Sequence, residues 1–571
     1  QVEEDLFTIV DLINNGNVLK HPEFASVNLR AAEKAREISA FQSASKYAAE
    51  GVSLLEEADW VRNKSTALGL YTIGSEAELI LGNVDAAERY REVALSRSDL
   101  STLEMLPLQI GKAKALGDVE LKSKEAMEYC LKLLKNNGCR LTWVRPLVLP
   151  QALVSFIRTV KKAKTKPPSF YETLKASDNE EVKFIGYLLS KVVYNAYTAG
   201  DTAMYLLSAV KLVDITMEFG ANEFSANAFT YLGILSVIVL KDYGAMKQFV
   251  NIGLGMLQKF RGMHAAESVY LGHQLALFWT KNPETGSRVL EKAILAGRRE
   301  GDLVYTSWAM LQHVVYLPYT TGRPIHTILE GCRHILAEFE ETKSGMHILC
   351  TKNYYQMLLN LNDPSCENPS VHFGKIYTDT KEDHKGNLVI LGENTFAEGE
   401  LVFWNADYED CAKRALRVGE TFAKLNPGVY LHQVESFHRA VALYAAAIET
   451  KKRKYRRAGN TIRKRLATLT QYDNTTVQYY HIFLTAEYLA LEKKQKEAKK
   501  KYEQALEAVG KLGHLHHLGL FNERYSNYLQ RELKAEKESR YRLEQAIGYY
   551  RQWGAVHKVK ALESRLKDMI S

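Results

Sequence analysis

Proline and cysteine are both scarce in this chain, and each scarcity excludes something. Twelve prolines in 571 residues is about 2% against a usual ~5%, which leaves few Pro-built turns and favours helix. The six cysteines (Cys130, Cys139, Cys332, Cys350, Cys366, Cys411) lie far apart with no C-x-x-C pair. Buried single thiols in a reducing compartment are therefore expected rather than a disulfide framework. Long apolar runs are missing too. The strongest, Tyr231–Leu240, falls far short of the ~20 residues a bilayer crossing needs, so no membrane partner is expected. The stretch Gln1–Asp11 carries four acids and no basic segment, so no secretory signal is visible, and a cytoplasmic location is expected. The chain begins with Gln rather than Met and is expected to be a piece of something longer.

Catalytic signatures are equally absent. There is no G-x-x-x-x-G-K-[ST] loop, G-x-G-x-x-G, H-E-x-x-H, G-x-S-x-G or kinase catalytic loop, and phosphoryl transfer and nucleophilic hydrolysis usually leave such marks. No catalytic residue, cofactor or metal is expected.

What is present is a folded composition, 46% hydrophobic and 25% charged, with the internal repetition of a helical array. In Gly82–Leu95 a Gly-Asn turn ends one helix, Asp85 is placed to cap the next, and Ala87 and Ala94 share a face. Ser75, Ala87 and Ala94 occupy the three small-residue places of a tetratricopeptide-type hairpin. The same template fits Ala32, Ala44 and Gly51; Gly233 and Ala245 with Ile252 third; Ala486, Ala498 and Ala505 with Tyr502 at the aromatic place; and Asn527, Ser539 and Ala546. Equivalent positions recur every 41–43 residues, longer than the standard ~34. The expected fold is an all-α, tetratricopeptide-like, right-handed solenoid of antiparallel helical hairpins with one irregular insertion. An ordinary helical bundle is the alternative. Its expected divisions are N-terminal repeats over 1–165, central repeats over 166–361, the insertion over 362–393 and C-terminal repeats over 394–571.

Two segments interrupt the pattern. Pro167-Pro168 within Lys161–Lys175 demands a helix break. Asn362–Glu393 combines Pro364, Pro369, Gly374, Gly386 and Gly392 with two extended-looking runs, Lys375–Thr378 and Asn387–Leu391; a β-hairpin, another ordered insertion or a disordered loop all fit. Asp379, Glu382, Asp383 and His384 gather acid–base groups there, which a polar loop explains without chemistry.

Two clusters carry candidate chemistry. His514, His516 and His517 are the densest histidines, read as partly exposed near a helix start because no carboxylate or thiol stands at ligand spacing; His432, Glu435 and His438 spread around a helix. The run 451–465 holds Lys451, Lys452, Arg453, Lys454, Arg456, Arg457, Arg463, Lys464 and Arg465 and no acid, more than the whole net charge of +8. It is the candidate patch for an anionic partner, either nucleic acid or an acidic surface, against the alternative of a solvated hairpin corner whose stems cover apolar neighbours. Without an RNP, zinc-finger or helix-turn-helix signature, base-specific recognition has no support.

Taken together, Ala31-Ala32-Glu33-Lys34-Ala35, Tyr47, Gly51, Leu54-Leu55, Trp60, the Gly82–Leu95 hairpin, Ala486-Glu487, Ala498-x-x-x-Tyr502-x-x-Ala505 and the closing Trp553-Gly554-Ala555 with Lys558 resemble a known region. It is the helical-repeat region that follows the predicted STAND-type (AAA-like) ATPase module in multidomain signalling kinases. The resemblance implies a non-catalytic protein-interaction and regulatory scaffold. Its partner would be a protein or peptide, or an ATPase or kinase module of the same polypeptide. The family's nucleotide-binding residues have no counterpart in this chain.

Overall fold

The computed structural model describes residues 5–569 apart from 17–20, 22, 39, 142–146, 259–264, 367–373, 375, 379–386 and 406. Among these residues no strand forms; the β-type pairings are isolated bridges, Ala176 with Ala221 and Lys281 with Asp473. Successive helices pair into hairpins. Glu23–Glu37 packs on Phe41–Ser53, Lys64–Ile80 on Val84–Leu95, Ser225–Leu240 on Tyr243–Met256 and Ile325–Glu341 on Gly345–Asn362. Toward the C-terminus Leu431–Thr450 packs on Arg453–Ala467, Thr475–Leu491 on Gln495–Leu512 and Leu515–Tyr528 on Glu536–Trp553.

One local recipe makes many of the turns. A residue in the left-handed region ends the first helix, and a side chain near it caps the second. At Lys241, φ is 55°, and Asp242 then accepts from the Ala245 amide at 2.8 Å; Gly301 and Asp302 repeat the arrangement on the Tyr305 amide at 3.1 Å. Left-handed residues stand 41 or 42 positions apart from Gly200 to Lys241, Gly301 to Lys343, Lys451 to Lys493 and Lys493 to Lys534. Asp85 departs from its expected role: the helix starts at Val84 with Asn83 before it, and Asp85 lies inside the first turn.

The two helices of a hairpin do different work. Leu431–Thr450 buries 16 of its 20 residues, whereas Arg453–Ala467 buries only Tyr455, Gly459, Ile462 and Leu466, one stripe at helical spacing. The first helix therefore belongs to an inner layer and must be covered on both sides. Its outer partner covers one side, and distant parts of the chain cover the other. Trp279 Nε1 donates to the Gly428 carbonyl at 2.6 Å, Asn474 Nδ2 to the Phe278 carbonyl at 2.9 Å, and Asn362 Nδ2 to the Gly554 carbonyl at 2.9 Å. The stack returns on itself, and a single apolar core runs from Ala113 to Leu562. The N-terminal hairpins keep smaller clusters around Ala32 and Ala44 and around Trp60. No helix among the described residues is long and apolar enough to cross a membrane.

Small residues sit at the helix crossings. Ala32, Ala44, Ser75, Ala87 and Ala94 are all buried. In the central hairpin the third small place belongs to Gly253, one residue beyond the expected Ile252: a Cβ at Gly253 would lie 2.6 Å from the Ala226 carbonyl oxygen and 3.1 Å from the Thr230 amide. Those are backbone atoms, which cannot swing aside. Gly253→Ala is expected to cost about 1–3 kcal/mol. At Gly255, two residues on, a Cβ meets nothing within 4 Å, so Gly255→Ala is expected to stabilise by about 0.5–1 kcal/mol. Urea midpoints of the two variants check the pair; equal signs would mean the helices are not in van der Waals contact at Gly253.

The first interruption is packed, and so are the described parts of the second. The helix Val148–Lys164 ends before Pro167-Pro168, and Tyr171 on the short helix Pro168–Glu172 returns its hydroxyl to the Ala163 carbonyl at 2.7 Å. The Asn387–Leu391 run, expected to be extended, instead opens the helix Leu388–Asn405. The Asn387 carboxamide oxygen accepts from the Val389 and Ile390 amides and caps the helix. Of the other run, Ile376 bonds through its amide to Gln356 Oε1 at 3.0 Å and Tyr377 is buried, its hydroxyl on Asn394 at 2.8 Å. Asp379, Glu382, Asp383 and His384 lie outside the described residues.

Candidate functional site

The nine basic residues of the 451–465 run differ in what they touch. Lys451 is the left-handed cap of the inner helix. Lys452 pairs with Glu409 at 2.7 Å and Arg456 pairs with Glu492. The Arg463 guanidinium lies 4.4 Å over the Tyr488 ring, and the Lys454 ammonium 5.1 Å from the Tyr455 ring centroid. Arg465 bonds Glu420 at 2.8 Å and Ser436 at 2.6 Å. Burial opposes ionisation of Glu420, but His432, Arg439 and Arg465 together hold its carboxyl far below the usual range. Arg453, Arg457 and Lys464 are exposed on the outer helix, and Lys451, Lys452, Lys454 and Arg456 are exposed as well.

The histidines are the larger correction. His514, His516 and His517 are wholly buried, not partly exposed, because Leu515–Tyr528 is an inner helix. They belong to a string of hydrogen bonds drawn from remote segments. Glu284 meets His514 Nε2 at 3.0 Å, and the Tyr479 hydroxyl bridges His514 Nδ1 at 2.9 Å and His517 Nδ1 at 2.8 Å. The Nε2 atoms of His517 and His438 are 3.0 Å apart, and His438 Nδ1 contacts Glu400 at 2.9 Å. Neither ring nitrogen of His516 has a hydrogen-bond partner; its ring stacks on His517 with centroids 3.7 Å apart. The turn at Gly322 (φ 64°) presses on it so closely that a Cβ would come 2.8 Å from the Leu515 amide. Burial pushes His516 and His517 well below the usual histidine range. Among the described residues no group of three or more His, Cys, Asp or Glu is placed to hold a metal ion.

The closing segment of the chain is structural as well. Trp553 is buried against Trp404 at 4.8 Å between centroids, Gly554 (φ 101°) is the left-handed cap, and Lys558 pairs with buried Glu523 at 3.1 Å.

The site the sequence did not disclose is a cavity of about 60 Å³. It lies where the helices Glu180–Ala199, Ala265–Gln274, Leu303–Leu311 and Leu388–Asn405 converge. Tyr316, at the end of the π-helical turn Gln312–Tyr316, also faces it; such wide turns recur at functional sites. Among the described residues seven tyrosines and Trp308 line the cavity, with Glu393, Gln274 and Asn426 as its non-phenolic polar side chains apart from Thr198. Glu393 is 2% exposed and accepts from the Tyr354 hydroxyl at 2.6 Å and the Asn426 amide at 2.8 Å. Burial raises its carboxyl to about 7, although Tyr354, Tyr316 and Asn426 favour the charged form. The nearby Cys350 thiol is pushed well up by burial and stays protonated, so it makes no nucleophile. The available signals in the sequence are the 32 tyrosines and a glutamate set within the Leu388–Asn405 helix of largely apolar residues; neither places the groups together.

No protein-family model matches the chain, and no curated protein matches it.

Proposed function

We propose that the chain is a non-catalytic protein-interaction and regulatory scaffold of the cytoplasm. In this reading it is a tetratricopeptide-like, right-handed solenoid that serves as the sensor and repeat region of a larger ATPase–kinase signalling protein. The 41–42-residue recurrence of its turns and the resemblance of its terminal hairpins support the repeat type. With the inner helices covered by the chain itself, a partner has to be held from outside.

One observation carries this reading. The outer helix Val148–Lys164 leaves Leu147 (53% exposed), Pro150, Val154 (46%) and Ile157 (38%) open to solvent. These four are spaced to share one helix face, and exposed Arg158, Lys161 and Lys162 flank it. An apolar stripe with a basic border complements an amphipathic helix with acidic flanks, and such a helix of a partner protein is the occupant proposed. A second reading, an anionic partner on the basic run 451–465, rests on the outward exposure of seven of its basic residues, Arg453, Arg457 and Lys464 among them.

One experiment separates the two. A fluorescent helical peptide with leucines on one face and glutamates beside them is titrated with the protein. Val154→Asp/Ile157→Asp is expected to weaken binding at least about tenfold, since burying either side chain is worth about 1.5–3 kcal/mol. Arg453→Gln/Arg457→Gln/Lys464→Gln is expected to change little. The reverse pattern, with heparin competing, favours the anionic reading.

A further inference from the structure

We propose that the cavity around Glu393 binds a small organic ammonium ion, a protonated alkylamine. Two amide oxygens and a carboxylate at the cavity call for a donor, while the Tyr316 hydroxyl on the same wall can donate or accept. Gln274 Oε1 and Asn426 Oδ1 are buried and have no hydrogen-bond partner. The Asn426 amide nitrogen is already committed to Glu393 and to the Val389 carbonyl, which fixes its oxygen as the free acceptor. Glu393 adds a carboxylate whose hydrogen-bond partners are neutral, and no Lys, Arg or His is among the described residues lining the cavity. Buried acceptors left unmatched are costly, and an uncompensated buried carboxylate more so. An N–H-bearing cation answers both.

The rest of the wall suits the same guest. Tyrosine and tryptophan faces attract cations, most strongly where water is excluded, and Tyr270, Tyr305 and Trp308 supply such faces from two neighbouring helices. An anionic ligand would meet the Glu393 charge unscreened, and an apolar one would leave the two amide oxygens unpaired. Water-sized occupants need roughly 10–15 Å³ each, so about 60 Å³ takes about four to six heavy atoms. Of the phenols at the wall, Tyr194 and Tyr197 are the partly exposed ones, and they mark the mouth.

The pH dependence follows from the groups around the carboxyl. Tyr354, Tyr316, Tyr197, Tyr270 and Cys350 face Glu393, and burial pushes all five well above their usual ranges. None of them changes charge between pH 6 and 8. With Glu393 at about 7, its ionised fraction rises from about a tenth at pH 6 to about nine tenths at pH 8, and ammonium affinity should rise about tenfold with it.

The test is calorimetric titration of the whole chain with n-butylammonium chloride, and with 1-butanol at matched ionic strength. Butylammonium is expected to bind at least tenfold more tightly than butanol, with about a tenfold gain from pH 6 to pH 8. Glu393→Gln keeps one acceptor oxygen for the Asn426 amide and turns an NH2 toward the Tyr354 hydroxyl, which can accept it; it is expected to erase the preference for the cation. Should that variant fail to melt cooperatively, Gln274→Leu, which removes one acceptor, is expected to weaken butylammonium several-fold. Equal binding of alcohol and ammonium, a flat pH profile, or no ammonium binding at millimolar concentration would overturn the proposal.

Discussion

Arg524→Ala is expected to lower the stability of the protein by about 3–5 kcal/mol, the cost of leaving a buried charge without its counter-ion. Glu487 and Arg524 are 0% and 2% exposed. Two hydrogen bonds join them, from Arg524 Nε at 3.1 Å and Nη2 at 2.8 Å. The Tyr502 hydroxyl donates to the same carboxylate at 3.0 Å, and the guanidinium lies 4.8 Å from the centroid of the Tyr408 ring. The pair fastens the inner helix Thr475–Leu491 to the inner helix Leu515–Tyr528, so its loss loosens two hairpins at once. With Arg524 truncated, Glu487 keeps a phenol donor and no positive charge. Replacing both partners, as Glu487→Met/Arg524→Met, is expected to recover most of the loss, because no charge is then stranded. Urea unfolding of the two single variants and the double variant gives the coupling directly. If Arg524→Ala were no less stable than the double variant, the pair would not be carrying charge in the folded protein.

Acid is expected to unfold the protein in two stages set by its buried titratable groups. Burial lowers His347 to about 3 and holds His516 and His517 well below the usual 6.5. For a group depressed in the folded state, the unfolded chain takes up the proton first. The stability is therefore present above about pH 6.5 and is lost as pH falls, at up to about 1.4 kcal/mol per unit for each group. Glu393 and Glu435 act in the opposite sense. Burial raises both to about 7, so the folded state holds protons that the unfolded chain releases above about 4.5, and stability rises as pH falls from 7 toward 4.5. Between pH 6.5 and 4.5 the carboxyl gains offset part of the histidine losses, so the decline is shallow. Below pH 4.5 the carboxyl gain stops and the decline steepens. Urea midpoints at pH 7.5, 6.0, 5.0 and 4.0 trace the bend. His516→Phe retains the stack on His517 and removes two unpaired nitrogens. It is expected to match or exceed the parent at pH 7 and to lower the steep slope. An unchanged slope would exclude His516 from the acid transition.

The helical class was legible in the sequence because its determinants are local. The stripe of Tyr455, Gly459, Ile462 and Leu466 and the small residues Ala32, Ala44, Ala87 and Ala94 declare themselves within one or two turns. The break at Pro167-Pro168 is likewise a property of two adjacent rings. Misreadings came where a local pattern fits two structures. Asn387–Leu391 is a short apolar run that fits a strand but opens a helix capped by Asn387, and the third small place slid from Ile252 to Gly253. Which acids pair with the basic run was not legible, since Glu409, Glu420 and Glu492, which take three of its charges, come from other elements.

By itself the sequence determined that this chain forms paired helices at a 41–43-residue interval, without a membrane-crossing helix among the described residues and without a recognisable catalytic signature. Helix formation depends on neighbours three and four positions away, and those are written side by side. Only the tertiary structure decided that the histidines are buried, that Glu284 lies 230 residues from the His514 it binds, and that seven tyrosines enclose one carboxyl. Burial and charge pairing depend on which distant surfaces meet when the stack returns on itself, and no periodicity within a helix encodes that meeting.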